Sequence, residues 1–275
     1  MSRYILIMLL AGLPMAADQL HVDHVTVAGR DLRAMQQALK TAGIPSENGG
    51  PHSNHATEMA LTSFPDGSYL ELIAIQPQAD PAAVAAHPWS RFLKEDAGPC
   101  AWAVRPADMA AEVQRLHAAA PIRNGRKRLD GVQLDWETAQ VGPGNGTFFP
   151  FLIHDFTPRD LRAYPSGKAT VSNFTGVTKV FLAVRDLDAA IAQFQKAYGL
   201  DAPVRSVDSG FGAKLAWFKG TPVVLATPLD AQSWLAKRID RFGESPCAFV
   251  LGRTKPAKQI KWLDAAKLGW HLGLE

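Results

Sequence analysis

The sequence predicts an α+β fold built from four imperfect copies of one βαβββ module, the last of them abbreviated. Two pairs of similar stretches reveal the repeat. His24–Leu32 resembles Lys179–Leu187, and both end in Arg-Asp-Leu. Gly98–Val104 resembles Ser245–Leu251, and both contain Pro-Cys-Ala. A third observation defines the module, because alternating apolar runs are followed by helical patterns and by further short runs that indicate strands.

The first module covers about residues 20–76. Its opening apolar run indicates a strand, and Asp31 is the expected N-cap of the helix that follows. The apolar residues of that helix recur at helical spacing: Leu32, Met35 and Leu39. Gly43 is the expected end of the helix. Two further strands flank the turn sequence Pro-Asp-Gly-Ser at residues 65–68, which indicates a hairpin.

The remaining modules are expected at about residues 98–156, 175–228 and 245–275. Modules one and two make a first half, residues 20–156, and modules three and four make a second half, residues 175–275. The linker between the halves, residues 157–174, is rich in Pro, Ser, Gly and charged residues. The fourth module leaves little room for a helix, which is why it is predicted to be abbreviated.

Further helices are predicted inside and between the modules. One covers about residues 107–119 in module two, and another follows Asp186 in module three and ends at Gly199. Two more, at about residues 80–93 and 230–241, join neighbouring modules. The connections therefore repeat together with the modules.

The composition indicates a globular protein with a substantial core. The chain has 275 residues, of which 47% are hydrophobic and 20% charged. The net charge of +3 comes from scattered Lys and Arg residues, which gives no reason to expect a nucleic-acid partner. The one basic cluster, Arg123–Arg128, is either a solvated turn or a contact for an anionic ligand or surface.

The N-terminal segment, residues 1–17, has a basic start, an apolar stretch and a small-residue end. This pattern predicts a short signal peptide and export to the periplasm or the exterior, although an apolar strand or helix is the alternative. The rest of the chain has no run of about 18 apolar residues, so no membrane association is expected after signal removal. Export would permit a disulfide between Cys100 and Cys247, and two buried free thiols are the alternative.

Two ionisable residues lie inside apolar strands of the first module. His24 follows Asp23 in the opening strand, and Glu71 stands between two leucines in the last strand. A carboxylate in so apolar a strand is costly unless it is paired or bound. A neutral imidazole and a carboxylate on neighbouring strands form half of a divalent-metal site. The alternatives are a structural histidine and an outward-facing glutamate.

These features resemble the vicinal oxygen chelate superfamily, and more narrowly the glyoxalase-like domain proteins. The likeness lies in the βαβββ unit, its pairing, and the His in the first strand and Glu in the last. Four segments carry it: Val22–Val27, Asp66–Ile73, Asp130–Trp136 and Pro150–Ile153. The resemblance covers most of the chain and is strongest over residues 20–156. It implies that the paired modules form two cup-shaped mixed sheets.

The resemblance also implies a divalent metal in the cup, held by one ligand from the first and one from the last strand of each module. Carried over to this sequence, module one supplies His24 and Glu71. The corresponding positions elsewhere lack a good ligand: Ala101 and Pro150 in module two, Lys179 and Val224 in module three. The sequence thus departs from the full four-ligand pattern.

Other residues are candidates to complete the site. The loop at residues 49–58 is rich in Gly, Pro, Asn and His, and carries His52, His55 and Glu58. His154 closes the last strand of module two. We expect His52 and His55 as further metal ligands and Glu58 and His154 as general acid or base, the alternatives being a solvated loop and a strand cap. Such ligands suit Fe(II), Mn(II), Ni(II) or Zn(II).

The sequence is compatible with two functions. The first is a metal-dependent lyase, isomerase or dioxygenase that acts on a small oxygenated organic molecule. The second is a non-catalytic binding protein that has lost the metal and has an apolar cleft lined by Trp102, Trp136 or Phe149. Both predict a small-molecule partner, and the fourfold repeat allows a monomer or a homodimer.

Overall fold

The computed structural model describes residues 20–128, 130–257 and 259–275. The predicted signal segment, residues 1–17, lies outside these ranges, so export stays a prediction. Among the described helices, none is both long and apolar enough to cross a membrane.

The first half forms one eight-stranded mixed sheet. Its strands in chain order are β1 (Val22–Ala28), β2 (Glu47–Pro51), β3 (Thr57–Ser63), β4 (Tyr69–Ile75), β5 (Gly98–Val104), β6 (Ile122–Lys127), β7 (Gln133–Ala139) and β8 (Phe151–Asp155). The spatial order is β2-β3-β4-β1-β5-β8-β7-β6. In each module the first strand pairs in parallel with the last, and β1 and β5 join the two modules antiparallel. The first strands of both modules are therefore at the centre of the sheet.

The second half forms a seven-stranded sheet of the same design. Its strands are β9 (Phe174–Ala183), β10 (Val204–Asp208), β11 (Ala213–Trp217), β12 (Val223–Pro228), β13 (Ser245–Arg253), β14 (Lys261–Trp262) and β15 (His271–Leu274). The spatial order is β10-β11-β12-β9-β13-β15-β14. Among the described residues, module four has three strands instead of four and no helix between β13 and β14, which confirms the predicted α+β fold with an abbreviated last module.

Eight helices lie in the described part of the chain. They are α1 (Leu32–Thr41), α2 (Pro81–Ala86), α3 (Ser90–Lys94), α4 (Met109–Leu116), α5 (Arg159–Ala163), α6 (Leu187–Tyr198), α7 (Trp234–Phe242) and α8 (Ala265–Leu268). The single helix predicted at 80–93 is wrong, because the backbone is extended at His87. Pro88 follows His87 and disfavours the helical conformation there.

The predicted helix ends of α1 and α6 are confirmed. The Asp31 carboxylate accepts a hydrogen bond from the backbone N–H of Ala34, and Asp186 caps α6 in the same way. Gly199 ends α6 with a φ of 63°, a left-handed conformation that favours glycine. These local signals decide where the chain turns back to the sheet.

Alternation along the strands divides each sheet into two faces. On β4, Leu70 and Leu72 pack into the main core, whereas Tyr69, Glu71 and Ile73 line a cavity on the other face. The main core contains residues of both halves, such as Val25, Leu70, Val180, Leu225 and Phe249. The two sheets thus share one core and each keeps a second face for itself.

The cysteines, for which the sequence allowed two states, are both free and buried. Burial raises the pKa of the Cys247 thiol to about 12 and raises that of Cys100 further, so both stay protonated. They act as small apolar residues of the two sheets.

Candidate active site

A cavity of about 290 Å³ lies on the second face of the first sheet. The sheet curls until its two edge strands meet, since Arg126 on β6 donates to the carbonyl of Gly49 on β2 at 2.9 Å. The cavity is lined by β1, β3, β4, β6, β7 and β8, by the loop after β2 and by Trp89. Its size suits a small organic molecule.

His24 and Glu71 both face this cavity. β1 and β4 run in parallel with Thr26 opposite Glu71, so the two candidate side chains come from neighbouring strands. His24 Nε2 lies 4.0 Å from Glu71 Oε2, and both residues are buried. Thr26 Oγ donates to the same oxygen at 3.1 Å.

His52, in the loop after β2, joins them. Its Nε2 atom lies 3.3 Å from Glu71 Oε1, and its Nδ1 atom is 2.8 Å from Thr57 Oγ1. The carboxylate of Glu71 therefore stands between two imidazoles. Burial alone would raise the pKa of Glu71, but the hydrogen bond from His52, the nearby His24 and the Thr26 hydroxyl outweigh it and lower that pKa to about 2.

Asp23 fixes the orientation of His24, and sequence reasoning gave it no role. A register shift between Val22 and His24 leaves Asp23 as an extra residue in β1, and its carboxylate reaches His24 Nδ1 at 2.6 Å. His24 donates through Nδ1 to this carboxylate, which fixes the ring so that its Nε2 atom lies on the side of Glu71. The signal available in the sequence was a charged residue beside a histidine in an apolar strand.

Two arginines of the linker helix α5 neutralise Asp23. Arg162 Nη2 donates to Asp23 Oδ2 at 2.9 Å, and Arg159 forms a second ion pair with the same carboxylate. Burial would raise the pKa of Asp23, but these guanidinium groups and His24 hold it well below its usual range. Arg162 also donates to the Tyr69 hydroxyl at 2.6 Å, and the Tyr69 ring stacks on His24 at 4.8 Å.

The structure does not bring three of the predicted site residues to this cavity. Glu58 alternates with Met59 on β3 and lies in a groove on the other face, beside Arg30. His154 alternates with Ile153 on β8, points away from the cavity and lies 3.4 Å from Glu137. His55 is exposed at a turn with a φ of 57°.

The other walls of the cavity are aromatic and polar. Trp136 and Trp89 line it, whereas Trp102 and Phe149, which were expected in an apolar cleft, pack in the main core. Burial, and then the nearby His52, lowers the pKa of His87 to about 4, so this histidine of the cavity is neutral. Arg126 also lines the cavity, and sequence reasoning noted it only as part of a basic cluster.

The donor chemistry bears on the metal that the resemblance implies. Within residues 20–128, 130–257 and 259–275, no group of three or more His, Cys, Asp or Glu side chains is arranged to hold a metal as it stands. The donors nearest to such a group are Nε2 of His24, Nε2 of His52 and the Glu71 carboxylate. Two imidazoles and one carboxylate are a donor set that fits a divalent transition metal.

Comparisons with known proteins agree with this architecture. Residues 22–179, more than half of the chain, match a family described as "Glyoxalase-like domain". A hypothetical protein from Staphylococcus aureus superposes with a TM-score of 0.67 at 14% identity, covering 93% of this chain and 99% of its own. A variant of 4-hydroxymandelate synthase from Streptomyces coelicolor has a TM-score of 0.53 at 13% identity, covering 86% of this chain and 72% of its own. No curated protein matches the sequence. At these identities the solved structures show the fold alone.

Proposed function

The chain belongs to the glyoxalase-like domain family of the vicinal oxygen chelate superfamily, and we propose that its first half is a divalent-metal-dependent enzyme. The substrate would be a small oxygenated organic molecule, and the reaction would be of the lyase, isomerase or dioxygenase class. The cavity of the first sheet is the proposed active site.

One observation carries the proposal: two imidazoles, each held through Nδ1, turn Nε2 toward one buried carboxylate inside a cavity. Histidine ligands commonly have this form, with a partner on the other ring nitrogen that fixes the tautomer and orients the ring. At neutral pH Glu71 is ionised, which is the state in which a carboxylate binds a divalent ion.

In this proposal His24, His52 and Glu71 hold the metal. A bound divalent ion would supply Lewis-acid polarisation of substrate oxygens. The remaining residues support these three. Asp23 keeps the His24 proton on Nδ1, and the Thr26 hydroxyl orients Glu71. The aromatic walls of the cavity exclude water and contact the carbon skeleton of the substrate.

A metal-free binding protein is the second candidate, and the wall contributed by module two favours it. Phe151 and Ile153 line the cavity from β8 and pack against Ala103 of β5. This half of the site thus offers apolar contacts instead of ligands. Saturable ligand binding that is insensitive to a chelator would support this second function.

The deciding measurement is the metal content of protein purified without chelator, before and after incubation with Fe(II), Mn(II), Ni(II) or Zn(II). We expect near-stoichiometric metal, lost in His24→Ala, His52→Ala and Glu71→Ala. His55→Ala and His154→Ala are matched controls that should keep it. Loaded protein should then turn over a vicinal diol, hydroxyketone or catechol.

Two results would overturn the proposal. One is a parent protein that binds none of these metals. The other is an equal loss of metal in the control variants, which would point to general unfolding or to a different site.

A further inference from the structure

Arg126 is a buried cation that has no anionic partner among the described residues. It is 8% exposed and lines the cavity from β6. Its one hydrogen bond in the structure runs from Nη1 to the carbonyl of Gly49. The other deeply buried arginine of this cavity, Arg162, is paired with both Asp23 and Asp155.

A buried charge without a counter-ion is costly, so an unpaired guanidinium in a cavity indicates an anionic ligand. The contact with Gly49 helps to join the two edges of the sheet, but it uses one of five N–H donors. Ser53 also joins the edges, because its hydroxyl donates to the Gly125 carbonyl at 3.2 Å. Closure of the sheet therefore leaves most of the guanidinium free.

We propose that the cavity binds a small organic acid, with its carboxylate on Arg126. The guanidinium fork matches a carboxylate with two parallel N–H···O bonds. Trp89 and Trp136 provide flat walls for an unsaturated or aromatic skeleton. Oxygens at the far end of the acid face His24, His52 and Glu71, and this part alone rests on the proposed metal site.

The test compares two probes of equal shape and different charge: protocatechuate and its neutral amide. Each carries a ring and two vicinal hydroxyl groups, and only the acid carries a carboxylate. Calorimetric titration of the wild-type protein should give at least about tenfold tighter binding of the acid. Equal affinities, or no saturable binding of the acid, would overturn the inference.

The variants locate the effect. Arg126→Gln should lower the affinity for the acid at least about tenfold more than the affinity for the amide, and Arg126→Lys should keep part of the preference for the acid. Arg123→Gln, on the same strand but exposed and paired with Asp135, should change neither affinity. A parallel loss of both probes in Arg126→Gln, with the folded state intact by circular dichroism, would assign Arg126 to sheet closure only.

Titrations of metal-free and metal-loaded protein separate this inference from the proposed function. If the protein binds no metal, the preference for the acid is still read in the metal-free state. If metal is bound at Glu71 but acid and amide bind equally, the charge preference alone fails.

Discussion

The seven strands of the second sheet follow the strand order of the first, but the two cups contain different kinds of side chain. In the first sheet Thr26 stands opposite Glu71, between the parallel strands β1 and β4. In the second sheet the corresponding strands place Phe181 opposite Val224. Thr26 and Phe181 are at corresponding positions, because each pairs with the alanine of a Pro-Cys-Ala segment: Thr26 with Ala101 and Phe181 with Ala248. The polar pair of Thr26 and Glu71 in the first sheet therefore corresponds to the apolar pair of Phe181 and Val224 in the second.

Aromatic side chains fill the second cup. Phe181 lies against Phe211, Trp217 and Trp262 at ring distances of 5.2 Å, 5.3 Å and 5.3 Å. The helix α7 covers them with Leu235 and Ile239. The first cup keeps a cavity in the corresponding position.

The difference separates the fold from the site. The βαβββ pairing makes a curled sheet in both halves, and the first sheet combines buried charges with a cavity. Burial of Glu71 and Asp23 is tolerated because His52, His24 and the arginines of α5 surround them. Among the described residues of the second half, apolar and aromatic side chains occupy the corresponding place, so its cup is part of the core.

The largest effect is expected when the second cup is given the residue of the first. Val224→Glu places an unpaired carboxylate among aromatic rings at a fully buried position. We expect the free energy of unfolding to fall by about 4 kcal/mol or more, measured by urea denaturation. Val224→Thr keeps the size of the side chain but buries a hydroxyl group, and it should lower the free energy of unfolding by about 1–3 kcal/mol. A stable Val224→Glu protein would mean that the second cup can also accept a charge.

A slightly smaller loss of stability is expected when the ion pairs of Asp23 are broken. In the second half, Thr178 is at the repeat position that corresponds to Asp23. Asp23→Asn leaves Arg162 paired with one carboxylate, that of Asp155, in place of two. The free energy of unfolding should fall by about 3–5 kcal/mol. Asp135→Asn, which removes the partner of the exposed Arg123, is the control and should have little effect. Equal losses in both variants would contradict a special role for Asp23.

Acid should weaken the first cup through Glu71. Its pKa is lowered on folding from the usual value near 4.5 to about 2, so the stability it contributes is complete above about pH 5 and is lost as pH falls toward 2. The contribution is on the order of 3 kcal/mol. Unfolding measured from pH 7 to pH 2 should therefore show a flatter acid limb in Glu71→Gln than in the wild type. Parallel curves would show that Glu71 titrates normally.

The smallest change in stability is expected when the first cup is given the residue of the second. Glu71→Val removes the carboxylate between two imidazoles and leaves the Thr26 hydroxyl without its acceptor, while the added apolar burial offsets part of that loss. The free energy of unfolding should fall by only about 1–2 kcal/mol, measured by urea denaturation, and any metal held at the proposed site should be lost. A large destabilisation would instead make Glu71 a structural residue.

Much of the fold could be predicted from local patterns. The N-caps at Asp31 and Asp186 and the repeated Arg-Asp-Leu and Pro-Cys-Ala segments depend on residues a few positions apart. The candidates His24 and Glu71 could be named because charge inside an apolar strand is visible in the sequence. The same reasoning overreached for Glu58 and His154, since alternation is visible in a sequence but the face that meets the cavity is not.

The sequence by itself determined the modules, the ends of the helices and the place of the first polar pair. The tertiary structure alone decided which groups meet that pair. Asp23 reaches His24 through a register shift in β1, Arg162 comes from the linker helix, and Arg126 crosses from the opposite edge of the sheet. The contacts of Arg162 with Asp23 and of Arg126 with Gly49 join residues far apart in the chain, and only the packing of the linker helix and the closure of the sheet bring them within hydrogen-bonding distance.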